Sequence, residues 1–206
     1  MRRSLRTIAL TLAVALLGGM AVRAAEKSEK PEQPPTGVRP GDRAPDFALK
    51  NQDGKEVKLS DYKGKIVVLQ WFNEDCPFIQ RHYEAKTFTS LNDKYADKGV
   101  VQLAIDSTGA STPADNLKWV SSHALKFPIL QDHDHKVAKA YGARTTPHMF
   151  VIDKDGKVAY TGAIDNDPEG DKTDRTNYVA QALDELLAGK SVSKPETKSY
   201  GCGVEH

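Results

Sequence analysis

The chain has 206 residues, 39% of them hydrophobic and 28% charged, and its formal net charge is +1. This length fits one globular domain with enough core to fold without disulfides, and a chain with this charge is not expected to bind nucleic acid. Because the sequence has only two cysteines, they do not form a disulfide scaffold, and any that are not structural are available for chemistry.

The first 24 residues have the three parts of an export signal. Basic Arg2, Arg3 and Arg6 precede an apolar stretch over 8–20, and small residues around Ala24 offer a cleavage site. An uncleaved anchor is the alternative, but 13 apolar residues are few for a membrane span of about 20. We expect a periplasmic or secreted protein with no integral membrane domain after cleavage, whose mature charge of −3 again disfavours nucleic acid.

The rest of the chain divides into three parts. Residues 25–40 are rich in Glu, Lys, Gln and Pro, and we expect a flexible linker there. A folded domain is predicted over 41–190. The polar tail over 191–206 is expected to be mobile unless Cys202 ties it down.

Short apolar runs alternate with amphipathic stretches across the predicted domain. Asp53-Gly54 and Asp155-Gly156 each separate two such runs, which predicts two β-hairpins. Continuous apolar runs predict buried strands over 66–72 and 100–105. Helical spacing and capping residues predict helices over 77–97, 113–123, 135–141 and 177–187. This order implies an α/β fold in which helices flank a mixed sheet.

One cysteine lies where a reactive thiol is expected. Cys76 follows the buried strand over 66–72 and directly precedes Pro77 at the start of a helix. The positive end of the helix dipole favours the thiolate, which is the nucleophilic form, whereas Glu74 and Asp75 oppose it. The net direction of the pKa shift is undecided from the sequence, and a buried, inert thiol is the alternative.

Three motifs carry a resemblance to a known family. The segment 70–79, Gln-Trp-Phe-Asn-Glu-Asp-Cys-Pro-Phe-Ile, resembles the active-site strand and helix of the thioredoxin superfamily. The segment 145–153, Thr-Thr-Pro-His-Met-Phe-Val-Ile-Asp, is similar to its cis-proline loop. The segment 41–47, Gly-Asp-Arg-Ala-Pro-Asp-Phe, resembles the opening of the peroxiredoxin-like AhpC/TSA or redoxin branch.

The resemblance implies a thioredoxin-like fold with an N-terminal β-hairpin extension and a thiol-dependent oxidoreductase that needs no cofactor. Its substrates would be thiol or disulfide proteins, or a peroxide, and an external thiol would be its reductant. Cys76 would be the nucleophile. The predicted substrate-contacting residues are Trp71, Pro77, Arg81, Thr146 and Pro147. A cis bond before Pro147 would present the backbone of Thr146 to an extended substrate.

The chain departs from the family pattern at positions that matter for the reaction. Ile79 stands where thioredoxins have a second cysteine, while Leu69 and Asn73 replace residues that position peroxide in peroxiredoxins. The chain is closer to a peroxiredoxin-like group with one Cys-Pro motif and a Gly-Cys tail. We expect Cys202, in its glycine-flanked tail, to resolve the Cys76 intermediate; a permanent Cys76–Cys202 disulfide is the alternative.

A non-catalytic binding protein is the rival hypothesis. It would either handle copper with Cys76 and histidines or carry a purely structural disulfide. The sequence Asp132-His133-Asp134-His135 invites a metal interpretation. We predict instead a polar helix entry in which Asp134 is the N-cap, and therefore no metal site.

Overall fold

The computed structural model describes residues 37–204. The predicted export signal lies outside these residues, and so does most of the predicted linker. At the beginning of the described segment, Val38 donates its backbone N–H to the carbonyl of Tyr141 at 3.2 Å, so this end of the linker contacts the domain. Within residues 37–204, the helices are all too short or too polar to cross a bilayer.

The described residues form nine strands and five helices. The strands are β1 (Ala48–Asn51), β2 (Glu56–Lys58), β3 (Ile66–Phe72), β4 (Val100–Asp106), β5 (Ile129–Gln131), β6 (Thr145–Thr146), β7 (Met149–Ile152), β8 (Val158–Gly162) and β9 (Cys202–Gly203). The helices are α1 (Pro77–Glu84), α2 (Thr87–Tyr95), α3 (Pro113–Ser122), α4 (Lys136–Tyr141) and α5 (Tyr178–Leu187). Two turns of 3-10 helix, Leu59–Tyr62 and Ala96–Lys98, follow β2 and α2.

Seven of the strands form one mixed sheet in the order β2-β1-β5-β4-β3-β7-β8. The central strands β3, β4 and β5 are parallel, whereas β1, β7 and β8 pair antiparallel with their neighbours. The hairpin of β1 and β2 extends one edge of the sheet. The predicted α/β fold, with a central mixed sheet and an N-terminal hairpin extension, is therefore confirmed. The remaining strands, β6 and β9, pair with each other.

The central strand β3 has two buried faces because helices cover the sheet on both sides. Ile66, Val68 and Phe72 pack in one core with α1, α2 and α5. The alternate residues of the strand, including Leu69 and Trp71, pack in a second core with α4 and the N-terminal hairpin. All seven residues of β3 are buried, which explains why its sequence is continuously apolar apart from Gln70.

The single helix predicted over 77–97 is instead two helices, α1 and α2. They are separated at Lys86, which has a left-handed backbone with φ 56°. The physical reason is the five-residue step from Tyr83 to Phe88, since five residues of a straight helix turn Phe88 about 140° away from Tyr83. The break restores the phase, so both aromatic rings lie in the same core.

The helix entry before α4 also differs from the prediction. Asp132, not Asp134, supplies the cap: its buried carboxylate accepts the N–H groups of Val137 at 2.9 Å and Ala138 at 2.8 Å. Asp134 instead forms an exposed ion pair with Lys136. Within residues 37–204, no group of three or more His, Cys, Asp or Glu side chains is arranged to hold a metal ion.

Hydrogen bonds hold the described part of the C-terminal tail on the domain. Thr161 donates its N–H to Pro195 O at 3.0 Å, and Thr197 donates its N–H to Thr161 O at 3.1 Å. The side chain of Thr197 also accepts the N–H of Ala163 at 2.9 Å. The tail therefore runs along the free edge of β8 toward the paired strands β6 and β9. Both cysteines are free thiols, so these contacts form without a disulfide.

Candidate active site

The end of β3 delivers Cys76 to the first turn of a helix. A turn follows Phe72, in which Cys76 donates its backbone N–H to Asn73 O at 3.1 Å. Cys76 is the N-cap residue of α1, and Pro77 is the first residue of the helix. Proline suits this position because its missing N–H has no partner inside the helix in any case. The thiol is 1% exposed and lies at the positive end of α1.

The loop before β7 approaches this thiol from the side. The peptide bond between Thr146 and Pro147 is cis, as the sequence predicts. The carbonyl of Thr146 accepts a hydrogen bond from the Cys76 thiol at a sulfur-to-oxygen distance of 2.9 Å. Buried His148 fixes the loop, because its Nδ1 accepts the N–H of Arg144 at 3.1 Å and its Nε2 donates to the hydroxyl of Thr161 at 3.2 Å.

The C-terminal tail completes the site. In the β6–β9 pair, Cys202 lies directly opposite Thr146 and Gly203 opposite Thr145. Opposite residues of an antiparallel pair direct their side chains to the same side, which brings the half-buried thiol of Cys202 to Cys76. The two cysteines are 126 positions apart in the sequence. An extended segment of the chain itself therefore pairs with the strand that precedes the cis-proline.

Gly201 permits this approach. A Cβ atom at Gly201 would lie 2.1 Å from the carbonyl oxygen of Thr146, which is far inside contact distance. The φ of Gly201 is +133°, a conformation that other residues rarely adopt. A glycine directly before Cys202 is thus a geometric requirement of the β6–β9 pair.

The environment gives the two thiols different acidities. Burial raises the pKa of Cys76, but hydrogen bonds outweigh burial and leave this pKa below its ordinary value. The donors to its thiolate are the Cys202 thiol and the N–H groups of Ile79 and Cys202. Burial and the neighbouring Cys76 raise the pKa of Cys202 to about 11. The first proton lost from the pair therefore comes from Cys76, and Cys202 then donates its S–H to the thiolate.

This arrangement predicts how Cys202 affects its neighbour. Replacing Cys202 with alanine removes a donor to the thiolate, so we expect the pKa of Cys76 to rise. Cys202→Ser keeps a hydroxyl donor and should raise the pKa less. The ultraviolet absorbance of the thiolate, followed against pH, measures both shifts. Equal pKa values of Cys76 in the Cys202→Ala variant and the unchanged protein would contradict the hydrogen bond.

The structure does not bring Trp71 or Arg81 to the thiols, although both were predicted to contact substrate. Trp71 is fully buried on the opposite face of the sheet from Cys76, where its indole N–H donates to Ser107 at 3.1 Å. The guanidinium of Arg81 donates to the carbonyls of Pro168 at 2.7 Å and Asp167 at 3.0 Å. Arg81 thus joins the loop after β8 to α1.

Three residues at the site were not found from the sequence. Tyr200 stands two positions before Cys202, and its hydroxyl donates to buried Asp165 and lies 3.0 Å from Nε2 of buried His82. The signal available was the position of Tyr200 within Tyr200-Gly201-Cys202. Nothing in the sequence indicated that residues 82, 165 and 200 would meet.

Two cavities differ in their relation to this site. A cavity of about 50 Å³ lies beside Thr146, and its lining includes polar Asn73, Ser107 and Thr108 as well as apolar Trp71 and Phe72. A larger cavity of about 620 Å³ is lined by residues such as Lys63 and lies at the other end of β3, away from the thiols. The small cavity is the one that borders the loop before Pro147.

Comparison with known proteins agrees with this geometry. The sequence profile of the AhpC/TSA family matches residues 40–161, which is more than half of the chain. The chain belongs to the AhpC/TSA family. The described segment contains every residue of this match, and Cys202 lies C-terminal to it.

Relatives of this AhpC/TSA chain include thiol-disulfide oxidoreductases. The chain is 36% identical over 118 residues to the thiol-disulfide oxidoreductase ResA of Bacillus thuringiensis subsp. konkukian, covering 57% of the chain and 66% of that protein, just under two thirds of its length. It is 36% identical over 158 residues to ResA of Geobacillus thermodenitrificans, covering 76% of the chain and 84% of that protein.

One solved structure is similar to this chain over most of its length. An uncharacterized conserved protein from Geobacillus kaustophilus superposes with a TM-score of 0.75 and is 32% identical. The superposition covers 81% of this chain and 92% of that one. The two proteins therefore share their fold over most of their length.

Proposed function

We propose that the chain is a thiol-disulfide oxidoreductase in which Cys76 attacks the substrate and Cys202 resolves the intermediate. The observation that carries this proposal is the β6–β9 pairing, which sets Cys202 opposite Thr146 and against Cys76. The depressed pKa of Cys76 supports its role as the attacking thiolate. The two ResA relatives, named as thiol-disulfide oxidoreductases, support the same reaction class.

The chemistry needs only two thiols and a disulfide. The Cys76 thiolate attacks one sulfur of a substrate disulfide, and the other substrate sulfur leaves as a thiolate. The Cys202 sulfur, on losing its proton, then attacks the Cys76 sulfur and releases the second substrate thiolate. The substrate gains two electrons, and the protein is left with a Cys76–Cys202 disulfide. An external dithiol returns the pair to its reduced form, which closes the cycle.

Thr146 and Pro147 fit the role of a platform for the substrate. In the proposed reaction an extended substrate takes the place of β9 along β6 for the first attack, so its own cysteine lies against Cys76. Strand β9 then returns to β6 and brings Cys202 back for the second attack. Pro77 contributes by starting α1 directly after the nucleophile. Export to the periplasm or beyond the cell is part of this proposal and rests on the pattern of the first 24 residues.

Reduction of a peroxide is the second candidate, and the small cavity beside Thr146 favours it. Its volume of about 50 Å³ is enough for a few water-sized molecules. In this reaction Cys76 would be oxidised to a sulfenic acid, the peroxide would be reduced to an alcohol or water, and Cys202 would close the disulfide with loss of water. Leu69 is fully buried and offers no polar group to orient a peroxide, so disulfide exchange is the better-supported reaction.

A redox titration of the full chain tests the proposal. We equilibrate the protein across a series of glutathione ratios, alkylate the free thiols and quantify the species by mass spectrometry. We expect the Cys76–Cys202 bond to be reduced between about −120 and −270 mV, the range of redox-active proteins. A bond that resists reduction below about −300 mV would instead indicate a structural disulfide.

The Cys202→Ser variant tests the resolving role. With a disulfide substrate, this variant should accumulate the mixed disulfide at Cys76 and stop before release. Steady-state turnover of a disulfide or peroxide substrate at the unchanged rate would contradict the role of Cys202. Turnover of peroxide but not of a disulfide by the unchanged protein would favour the second candidate.

A further inference from the structure

Tyr200 occupies a side-chain pocket between α1 and the loop after β8. Its ring lies 5.8 Å from the ring of Phe78, between centroids. At the far end of the ring, the hydroxyl donates to Asp165 and lies 3.0 Å from Nε2 of His82. The pocket therefore has an apolar side wall and two polar groups at its end, which is the chemistry that recognises a phenol.

The hydrogen bonds at the end of this pocket form a directed chain. Burial lowers the pKa of His82 to about 4, so the imidazole is neutral near pH 7. The hydroxyl of Thr87 lies 3.3 Å from Nδ1, and we assign it as the donor to that nitrogen. Nε2 lies 3.0 Å from the oxygen of Tyr200 and 3.5 Å from Nη2 of Arg81. Because the hydroxyl proton of Tyr200 is directed to Asp165, we assign the shorter contact as a bond from Nε2–H to the tyrosine oxygen. The hydroxyl of Tyr200 thus accepts from His82 and donates to Asp165.

The carboxylate of Asp165 accepts a hydrogen bond from the hydroxyl of Tyr200. Its side chain is buried, and the only side chain that donates a hydrogen bond to it within residues 37–204 is that of Tyr200. The other carboxylate oxygen has no hydrogen-bond partner in the described segment, although Nε of Arg175 lies 3.6 Å from it. The oxygen that accepts from Tyr200 also accepts the backbone N–H of Asp167 at 3.0 Å. The bond from Tyr200 is charge-assisted because its acceptor is a carboxylate.

Tyr200 is also the side-chain anchor of the last described residues. Over 198–204, it is the only residue apart from Cys202 whose side chain makes a hydrogen bond. Beyond it, backbone bonds of β9 and a bond from the N–H of Val204 to Arg144 O hold the tail. Only Gly201 separates the anchor from Cys202, so the position of the phenol constrains the position of the thiol.

We propose that Tyr200 is the positioning residue for the resolving thiol, holding Cys202 against Cys76 through its pocket of Phe78, His82 and Asp165. This inference rests on the proposed function, since it concerns closure of the Cys76–Cys202 disulfide. In that step the Cys202 sulfur forms a bond to the Cys76 sulfur, and the bond from Cys76 to its substrate breaks. A thiol held in place closes this bond far more readily than one on a free tether.

The test measures the ratio of the internal Cys76–Cys202 disulfide to the mixed disulfide between Cys76 and glutathione. The full chain and its variants are equilibrated with mixtures of reduced and oxidised glutathione, trapped by alkylation and analysed by mass spectrometry. Tyr200→Phe keeps the ring but loses both hydrogen bonds, and we expect the ratio of internal to mixed disulfide to fall about tenfold. Tyr62→Phe is the matched control, because this tyrosine lies in the 3-10 turn after β2 and lines the larger cavity, away from the thiols. The control should leave the ratio unchanged.

A second variant tests the same pocket in case Tyr200→Phe does not fold. Phe78→Leu changes a half-exposed side chain that faces the ring of Tyr200, and it should lower the same ratio several-fold. Ratios within twofold of the unchanged protein in both Tyr200→Phe and Phe78→Leu would overturn the role of Tyr200. If the unchanged protein forms no Cys76–Cys202 bond at any glutathione ratio, the proposed function itself is wrong.

Discussion

Replacing Gly201 with alanine will lift the tail from the site and reduce formation of the Cys76–Cys202 disulfide about 100-fold or more. The new methyl group would lie 2.1 Å from the carbonyl oxygen of Thr146, and the backbone at this position has φ +133°. Strain of this kind costs about 1–3 kcal/mol before the overlap itself is counted, and 1.4 kcal/mol is a factor of ten in an equilibrium. The tail removes both the backbone strain and the overlap by moving away from β6.

Gly203 provides the matched control for Gly201. It lies in β9, two positions after Gly201, but a Cβ atom there would meet nothing within 4 Å. Gly203→Ala should therefore keep the ratio of internal to mixed disulfide close to that of the unchanged protein. The glutathione equilibration described for Tyr200 measures both variants. An unchanged ratio in Gly201→Ala would show that the tail does not dock as described.

Lowering the pH from 7 to 5 will destabilise the domain by about 4 kcal/mol through His82 and His148 together. Burial holds the pKa of His82 at about 4 and that of His148 at about 3, whereas an unfolded histidine has a pKa of about 6.5. Between the folded and unfolded pKa values the unfolded chain binds more protons than the folded chain. The free energy of unfolding therefore falls as the pH falls. At pH 5 each residue contributes about 2 kcal/mol to this loss.

The surroundings of His82 contain charges of both signs. Burial is the largest cause of its low pKa, and the nearby guanidinium groups of Arg81 and Arg175 add to it. The carboxylates of Asp165 and Asp167 oppose the shift without reversing it. For His148, burial is again the main cause and Arg144 adds to it.

Denaturant unfolding at pH 7 and pH 5 measures the effect. His148→Gln cannot titrate, so its loss of stability between the two pH values should be smaller than that of the unchanged protein by about 2 kcal/mol. Thr161→Val is the control, because it removes the hydrogen-bond partner of His148 without changing the number of titrating groups. Its cost should be the same at both pH values. A loss below about 1 kcal/mol in the unchanged protein would contradict the prediction.

Local patterns in the sequence predicted most elements of the fold. The strand over 66–72 was predicted at its observed bounds because a strand buried on both faces is continuously apolar. The break at Lys86 was missed because no proline or glycine marks it, although the five-residue step from Tyr83 to Phe88 contained the information. Capping by Asp132 was missed since its burial depends on Ser107, 25 positions earlier in the chain.

The candidate site was only half predictable. Cys76, Thr146 and Pro147 belong to motifs that can be read locally, and the structure brings them together. The pocket of Tyr200 could not be found in this way, because its partners come from α1 and from the loop after β8. Such a pocket is formed by residues that are distant in the sequence, so no local spacing of residues encodes it.

The pairing of β9 with β6 also bears on how two copies of the chain meet. Strand β6 has two residues and its partner β9 lies in the C-terminal tail, so a detached tail leaves an open strand edge. A tail tethered to its own domain has an effective concentration of about millimolar order. Tails therefore exchange between copies only when the protein approaches that concentration or when the pocket of Tyr200 is lost. Reciprocal exchange would link two chains by two Cys76–Cys202 disulfides and give each domain a complete site from its neighbour.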